Sequence, residues 1–178
     1  YDENGNLEYI NGVISDITIQ KKSEQELQRS EQKFRILSDA SIDMLSLDSK
    51  YEILKYTADI LAKQFSNTTV LAYAANCNTN KIKFAHIAGI HPHKHKELIE
   101  VAGNKVFNQE LPIKPELLLD YKKGELFKYT DSFAQYTSNR LSKAQSEAVA
   151  KVLNIKNIYA IGIIKEKELY GILHIFPN

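Results

Sequence analysis

Polar and apolar positions divide this chain into a polar, helix-forming front and an alternating, apolar back. From Asp16 to Leu47 there is neither Pro nor Gly. Glu, Gln, Lys and Arg dominate that run, and these residues lose little rotamer freedom in a helix. The pattern predicts one long helix. Along it, Leu27, Ser30, Phe34, Leu37, Ser41 and Met44 recur at spacings of three and four. Leu27, Phe34, Leu37 and Met44 are the apolar members of this seam, which fits a short, imperfect coiled coil. An ordinary amphipathic helix lying on its own domain explains the same pattern equally well. Either way the helix needs a partner surface, because an isolated helix of this length is marginal in water.

Ahead of the helix, Asp2-Glu3-Asn4-Gly5-Asn6 reads as a turn, and Leu7, Tyr9, Val13, Ile14 and Ile17 as strand residues. Such a hairpin buries too little surface to stand alone. Behind the helix, Ser49 and Glu52 form a capping-box pair. Ile53, Leu54, Thr57, Ile60, Leu61 and Phe65 then recur at helical spacing. Residues 68–75 are rich in strand formers, and Cys77-Asn78-Thr79-Asn80 is a turn. Strict alternation from Lys81 puts Ile82, Phe84, His86 and Ala88 on one face, and Lys83, Ala85 and Ile87 on the other.

The middle, 89–141, is less regular. It predicts short helices over His93–Ala102 and from Lys114 to Tyr121, with Pro115 at the start of the second. A strand is predicted over Gly124–Tyr129. A long irregular segment of this kind can cover a cavity. Ser142 and Gln145 make a second capping box, followed by the stripe Ala148, Val149, Val152 and Leu153. The chain closes with strands over Ile155–Ile164 and Leu169–Phe176 around a charged turn. Gly162 and Gly171 lie inside these strands, where a missing side chain lets another group approach closely. The fold class predicted is α+β: a central antiparallel sheet flanked by helices, preceded by a connector helix. The expected divisions are 1–17, 18–47 and 48–178.

Bulk properties narrow the function. The 178 residues are 43% hydrophobic, enough for one full domain and a fragment. A net charge of +1 argues against a nucleic-acid or membrane-surface partner held by bulk electrostatics. The single cysteine, Cys77, rules out an intrachain disulfide and fits a reducing, cytoplasmic setting. No apolar run approaches the ~20 residues of a bilayer-spanning helix. A start at Tyr1 without a methionine reads as a piece of a longer parent, whose membrane anchor, if any, lies elsewhere.

Aromatic side chains with a few polar tips suit a small-molecule cavity. Tyr73, Phe84, His86, Tyr129, Phe133, Tyr159 and His174 are the candidate ligand-lining residues. His86 and His174 fall on apolar strand faces, where an imidazole can orient a ligand. A core histidine bonded to backbone is the commoner use of such a position. His91, His93 and His95 alternate, but Lys94 and Lys96 would repel a cation and no Cys or carboxylate joins the cluster. No metal site is assigned. A Gly-rich phosphate loop, a Ser-His-Asp order and paired zinc cysteines are all missing, so no catalytic residue is assigned and no cofactor is named.

Two resemblances add to this reading. Asp2-x-x-Gly5, then Ile10 to Asp16-Ile17-Thr18, then the Lys/Glu-rich helix, resembles the end of a PAS domain, whose closing Asp-Ile-Thr motif starts an outgoing signalling helix. Ser30-Glu31-Gln32-Lys33-Phe34-Arg35 resembles linkers of multi-domain sensor histidine kinases. From residue 46 onward, the element order and the closing hairpin Ile161-Gly162-Ile163-Ile164 … Leu169-Tyr170-Gly171-Ile172 resemble a GAF domain. These resemblances imply the sensory region of a two-component sensor histidine kinase. The GAF-like domain would bind a small ligand, and the connector would relay that event to an output domain elsewhere in the parent. The alternative is a ligand-free spacer that homodimerises through Leu27, Phe34, Leu37 and Met44. In neither case does this stretch carry out catalysis, bind nucleic acid or touch a membrane directly.

Overall fold

A computed structural model describes residue 4 and residues 16–130, 132–137 and 140–177, Lys105 without its side chain. The expected N-terminal hairpin therefore lies, but for Asn4, Asp16 and Ile17, outside the described residues. The chain forms two units, one ending at Asp43 and the other starting at Met44.

The first unit is dominated by helix α1 (Thr18–Met44). Its start follows from Asp16, whose carboxylate accepts the Thr18 amide at 3.0 Å. This satisfies one of the free amides of the first turn. None of its side chains is buried. Leu27, Phe34 and Leu37 are 60%, 74% and 66% exposed, and Met44 is half-buried.

The second unit is a six-stranded antiparallel sheet in the order β3-β2-β1-β6-β5-β4. In chain order it comprises α2 (Lys50–Gln64), β1 (Thr68–Asn76), β2 (Lys81–Ala88), α3 (Pro92–Ala102), α4 (Asn104–Asn108) and β3 (Glu110–Pro112). There follow α5 (Pro115–Lys123), β4 (Phe127–Tyr129), α6 (Phe133–Thr137), α7 (Lys143–Val152), β5 (Ile158–Lys165) and β6 (Glu168–Pro177). The α+β class with a central antiparallel sheet is thus the one the sequence predicts. Both expected capping boxes form: Ser49 with Glu52 opens α2, and Ser142 with Gln145 opens α7.

Helix α2 packs on one face of the sheet. That face is built from small residues, Ala72, Ala74 and Ala88, with Val70 and Leu173. Leu54 of α2 is fully buried against it. A Cβ at Gly171 would meet the Leu54 side chain at 2.5 Å, so the glycine sets how closely α2 can lie. The other face carries Leu71, Tyr73, Ala160, Ile172 and Phe176 beneath a cover formed by the segment from α3 to α7.

Three local expectations are corrected. In β2, Ala72 pairs with His86 and Tyr73 with Phe84, so Ala85 is an extra residue in a bulge. The bulge reverses the alternation beyond it. His86 therefore turns to the α2 face and Ile87 to the covered face, the opposite of the predicted assignment. The predicted strand over Gly124–Tyr129 is shorter, because Gly124 adopts a left-handed φ of 67° and terminates α5. The last hairpin starts at Ile158 rather than Ile155, whose amide still donates to the Ala150 carbonyl at 2.9 Å.

Candidate functional site

His174 lies on β6 near the centre of the covered face and is 1% exposed. Among the described residues it is the one imidazole of the sheet that faces the cover, and two hydroxyls meet its ring. Tyr136 from α6 places its hydroxyl oxygen 2.6 Å from Nδ1. Tyr121 from the end of α5 lies 3.0 Å from Nε2. A neutral imidazole has one donor and one acceptor nitrogen, so the two hydroxyls play opposite roles. Tyr73 of β1 presents its ring edge to the imidazole at 5.3 Å.

The supports of this cluster are local. Helix α5 rests directly on β5, since a Cβ at Gly162 would fall 1.9 Å from the Tyr121 carbonyl oxygen. Helix α6 is tied to α7 by the buried contact between the Thr137 and Ser146 hydroxyls. The Ser146 hydroxyl also donates to the Ser142 carbonyl at 3.0 Å. Between these helices the amide of Arg140 donates to the Thr137 carbonyl at 2.8 Å. The Arg140 guanidinium sits 5.3 Å above the Tyr136 ring and 5.7 Å above that of Tyr73. Cation–π contacts of this kind strengthen as water is excluded.

Burial governs the electrostatics. It holds the His174 imidazole neutral, with its pKa pushed down to about 3, and the nearby Arg140 charge acts in the same direction. Burial also raises the hydroxyls of Tyr121 and Tyr136 well above the usual phenol range. Arg140 keeps its charge. Burial opposes it, but interactions with Tyr136 and Tyr73 outweigh that effect and raise its pKa.

Two small cavities adjoin the cluster. One, of about 30 Å³, is bounded by Tyr121, Tyr129, Tyr136, Arg140 and His174, with Lys114 at its rim. The other, of about 50 Å³, lies under α3 and α7 between Leu71, Leu98, Ala102, Leu141 and Val149. Tyr136 and Arg140 form part of the wall of both. Pockets for drug-sized ligands run to roughly 300–1,000 Å³. These cavities admit only something of a few heavy atoms.

Of the predicted lining residues, Tyr73, Tyr129, Phe133 and His174 come together around these cavities. Phe84 stands one ring further out, 5.9 Å from Tyr73 and 5.0 Å from Phe107. His86 is elsewhere: the bulge turns it to Asp59 of α2, at 2.8 Å. Tyr159 pairs with Ile175 on the α2 face and is half-buried, away from the cluster. Tyr121, Tyr136 and Arg140 were not among the residues predicted. Tyr136 and Arg140 lie in a polar stretch with no periodicity and Tyr121 at the end of a predicted helix, so only their convergence across the cover marks them. His91 and His93 approach each other with their Nδ1 atoms 3.4 Å apart at the start of α3. Among the described residues no three His, Cys, Asp or Glu side chains are grouped to hold a metal ion. Nor is any helix among them long and apolar enough to cross a membrane.

No protein-family model and no curated protein matches the chain. Solved structures with a similar backbone include the GAF domain of a phosphoenolpyruvate-protein phosphotransferase from Acinetobacter. It is 10% identical over 82% of this chain and 76% of that one, with a TM-score of 0.48. A fragment of a methyl-accepting chemotaxis protein is 17% identical over 78% of this chain and 77% of that one, also with a TM-score of 0.48.

Proposed function

We propose that this chain is the sensory region of a signal-transduction protein, in which a GAF-like domain takes up a small molecule beneath its cover. The observation that carries this reading is the buried cluster of His174, Tyr121, Tyr136 and Arg140 beside two cavities. An apolar core would be the simpler way to stabilise the same sheet, since buried polar groups gain little over the water they leave. Polar groups gathered beside unfilled space favour recognition. Binding would bias the domain only if the ligand prefers one arrangement of the cover, since equal affinity for two states shifts nothing. The Asp16-Ile17-Thr18 motif and the helix behind it favour a multi-domain sensor histidine kinase as the parent, with catalysis in other domains.

A second reading has its own observation. Leu27, Phe34 and Leu37 are exposed along α1 at coiled-coil spacing. That arrangement favours a homodimer paired through this seam, with the second unit as a ligand-free spacer. Native mass spectrometry of protein purified from its host separates the two readings. A retained small molecule supports the sensory reading, and an empty dimer supports the spacer.

A further inference from the structure

The wall that the two cavities share holds a buried cation. Tyr136 and Arg140 line both. The Tyr136 hydroxyl is fully engaged, meeting Nδ1 of His174 at 2.6 Å and interacting with Tyr73 and Arg140 as well. Arg140 brings five N–H donors and no acceptor, more than one phenol oxygen can use. Its guanidinium lies over the Tyr73 and Tyr136 rings. Among the described residues no carboxylate is ion-paired with it. The shared wall is therefore rich in donors and positively charged.

The larger cavity runs from that wall into apolar side chains: Leu71, Leu98, Ala102, Leu141, Val149 and Leu153. It has a charged end and a hydrocarbon end. At about 50 Å³ it is smaller than the ~150 Å³ apolar cavity that admits benzene, which limits a guest to a tail of roughly two to four carbons.

The geometry points to a short aliphatic carboxylate as the ligand, its head on Arg140 and its tail among Leu98, Ala102 and Val149. This deepens the ligand-binding reading above and rests on it. Planar guanidinium and planar carboxylate form paired, charge-assisted hydrogen bonds, which are stronger than neutral ones. The apolar end distinguishes such a ligand from an inorganic anion, and the guanidinium distinguishes it from a neutral amide of the same shape.

Thermal unfolding of the whole chain, titrated at fixed ionic strength with acetate, butyrate, butyramide and inorganic phosphate, tests this. A ligand that binds only the folded state raises the melting temperature with concentration. Butyrate is expected to raise it saturably, acetate less, and butyramide and phosphate not at all. Arg140→Gln is expected to weaken butyrate by about tenfold or more. Ala102→Leu, which fills the apolar end, should remove the preference for butyrate over acetate; it decides the matter should the arginine variant fail to fold. Equal effects of butyrate and butyramide, equal effects of butyrate and phosphate, or an unchanged preference in Ala102→Leu would each overturn the inference. No response to carboxylates, with a neutral molecule retained in native mass spectrometry, overturns the inference and leaves the ligand-binding reading standing. No response and no retained molecule overturn both.

Discussion

The Tyr136 hydroxyl oxygen lies 2.6 Å from Nδ1 of His174, and both residues are buried. That contact joins a ring that burial keeps neutral to an intact phenol. In the folded chain the imidazole takes up a proton only near pH 3, because burial, and then Arg140, oppose its charge. Unfolded, it does so near pH ~6.5. Between those values the unfolded state binds more protons, so this contribution is fully present above pH ~6.5 and is lost progressively as pH falls toward 3. The slope approaches ~1.4 kcal/mol per pH unit. Urea unfolding at about pH 7 and about pH 5 measures it. In His174→Gln this part of the slope should vanish, leaving only the carboxylate background common to both proteins.

Tyr136→Phe removes the hydroxyl and leaves Nδ1 buried without its partner. A loss of about 1–3 kcal/mol is expected in the same unfolding experiment. Tyr121→Phe should act in the same direction. Because both hydroxyls polarise one ring, the double variant should lose less than the sum of the two. Strict additivity would mean that the two contacts act independently.

Gly162→Ala places a methyl group where the Tyr121 carbonyl oxygen now lies, 1.9 Å from the new atom. Helix α5 must lift from the sheet, at a cost of about 1–3 kcal/mol. Gly171→Val drives Leu54 off the opposite face for the same reason. Melting temperatures check both. Unchanged values would mean that the helices yield freely. Only Gly162→Ala should also alter the His174 environment, and the imidazole ¹⁵N shifts would register this.

These glycines were legible in the sequence, as were most elements around them. Capping boxes at Ser49 and Ser142 and the hairpin alternation at β5 and β6 are local signals, and local signals survive folding. The polar cluster was legible only in part. His174 and Tyr73 stand on strands whose alternation reveals their face. Arg140, Tyr121 and Tyr136 meet His174 across separations of 34 to 53 residues, and no period links them. The bulge at Ala85 was invisible for a related reason: a strand with an extra residue has the same composition as one without.

Leu37→Asp probes α1. Charges at the seam of a coiled coil are destabilising because pairing would desolvate them. Sedimentation equilibrium is expected to show the variant shifted toward the monomer mass, with helicity otherwise retained. An identical mass for variant and wild type would remove the seam.

The extra residue at Ala85 also makes β2 tolerant of a change in length at one point. Loss of that residue would leave Phe84 opposite Tyr73 and His86 opposite Ala72, now as ordinary neighbours on a regular strand. His86 would keep its place beside Asp59, and Ile87 would stay under the cover. A deletion elsewhere in the strand would instead carry every side chain beyond it to the opposite face. The bulge is thus a place where the chain can shorten by a residue without rewriting the inner lining.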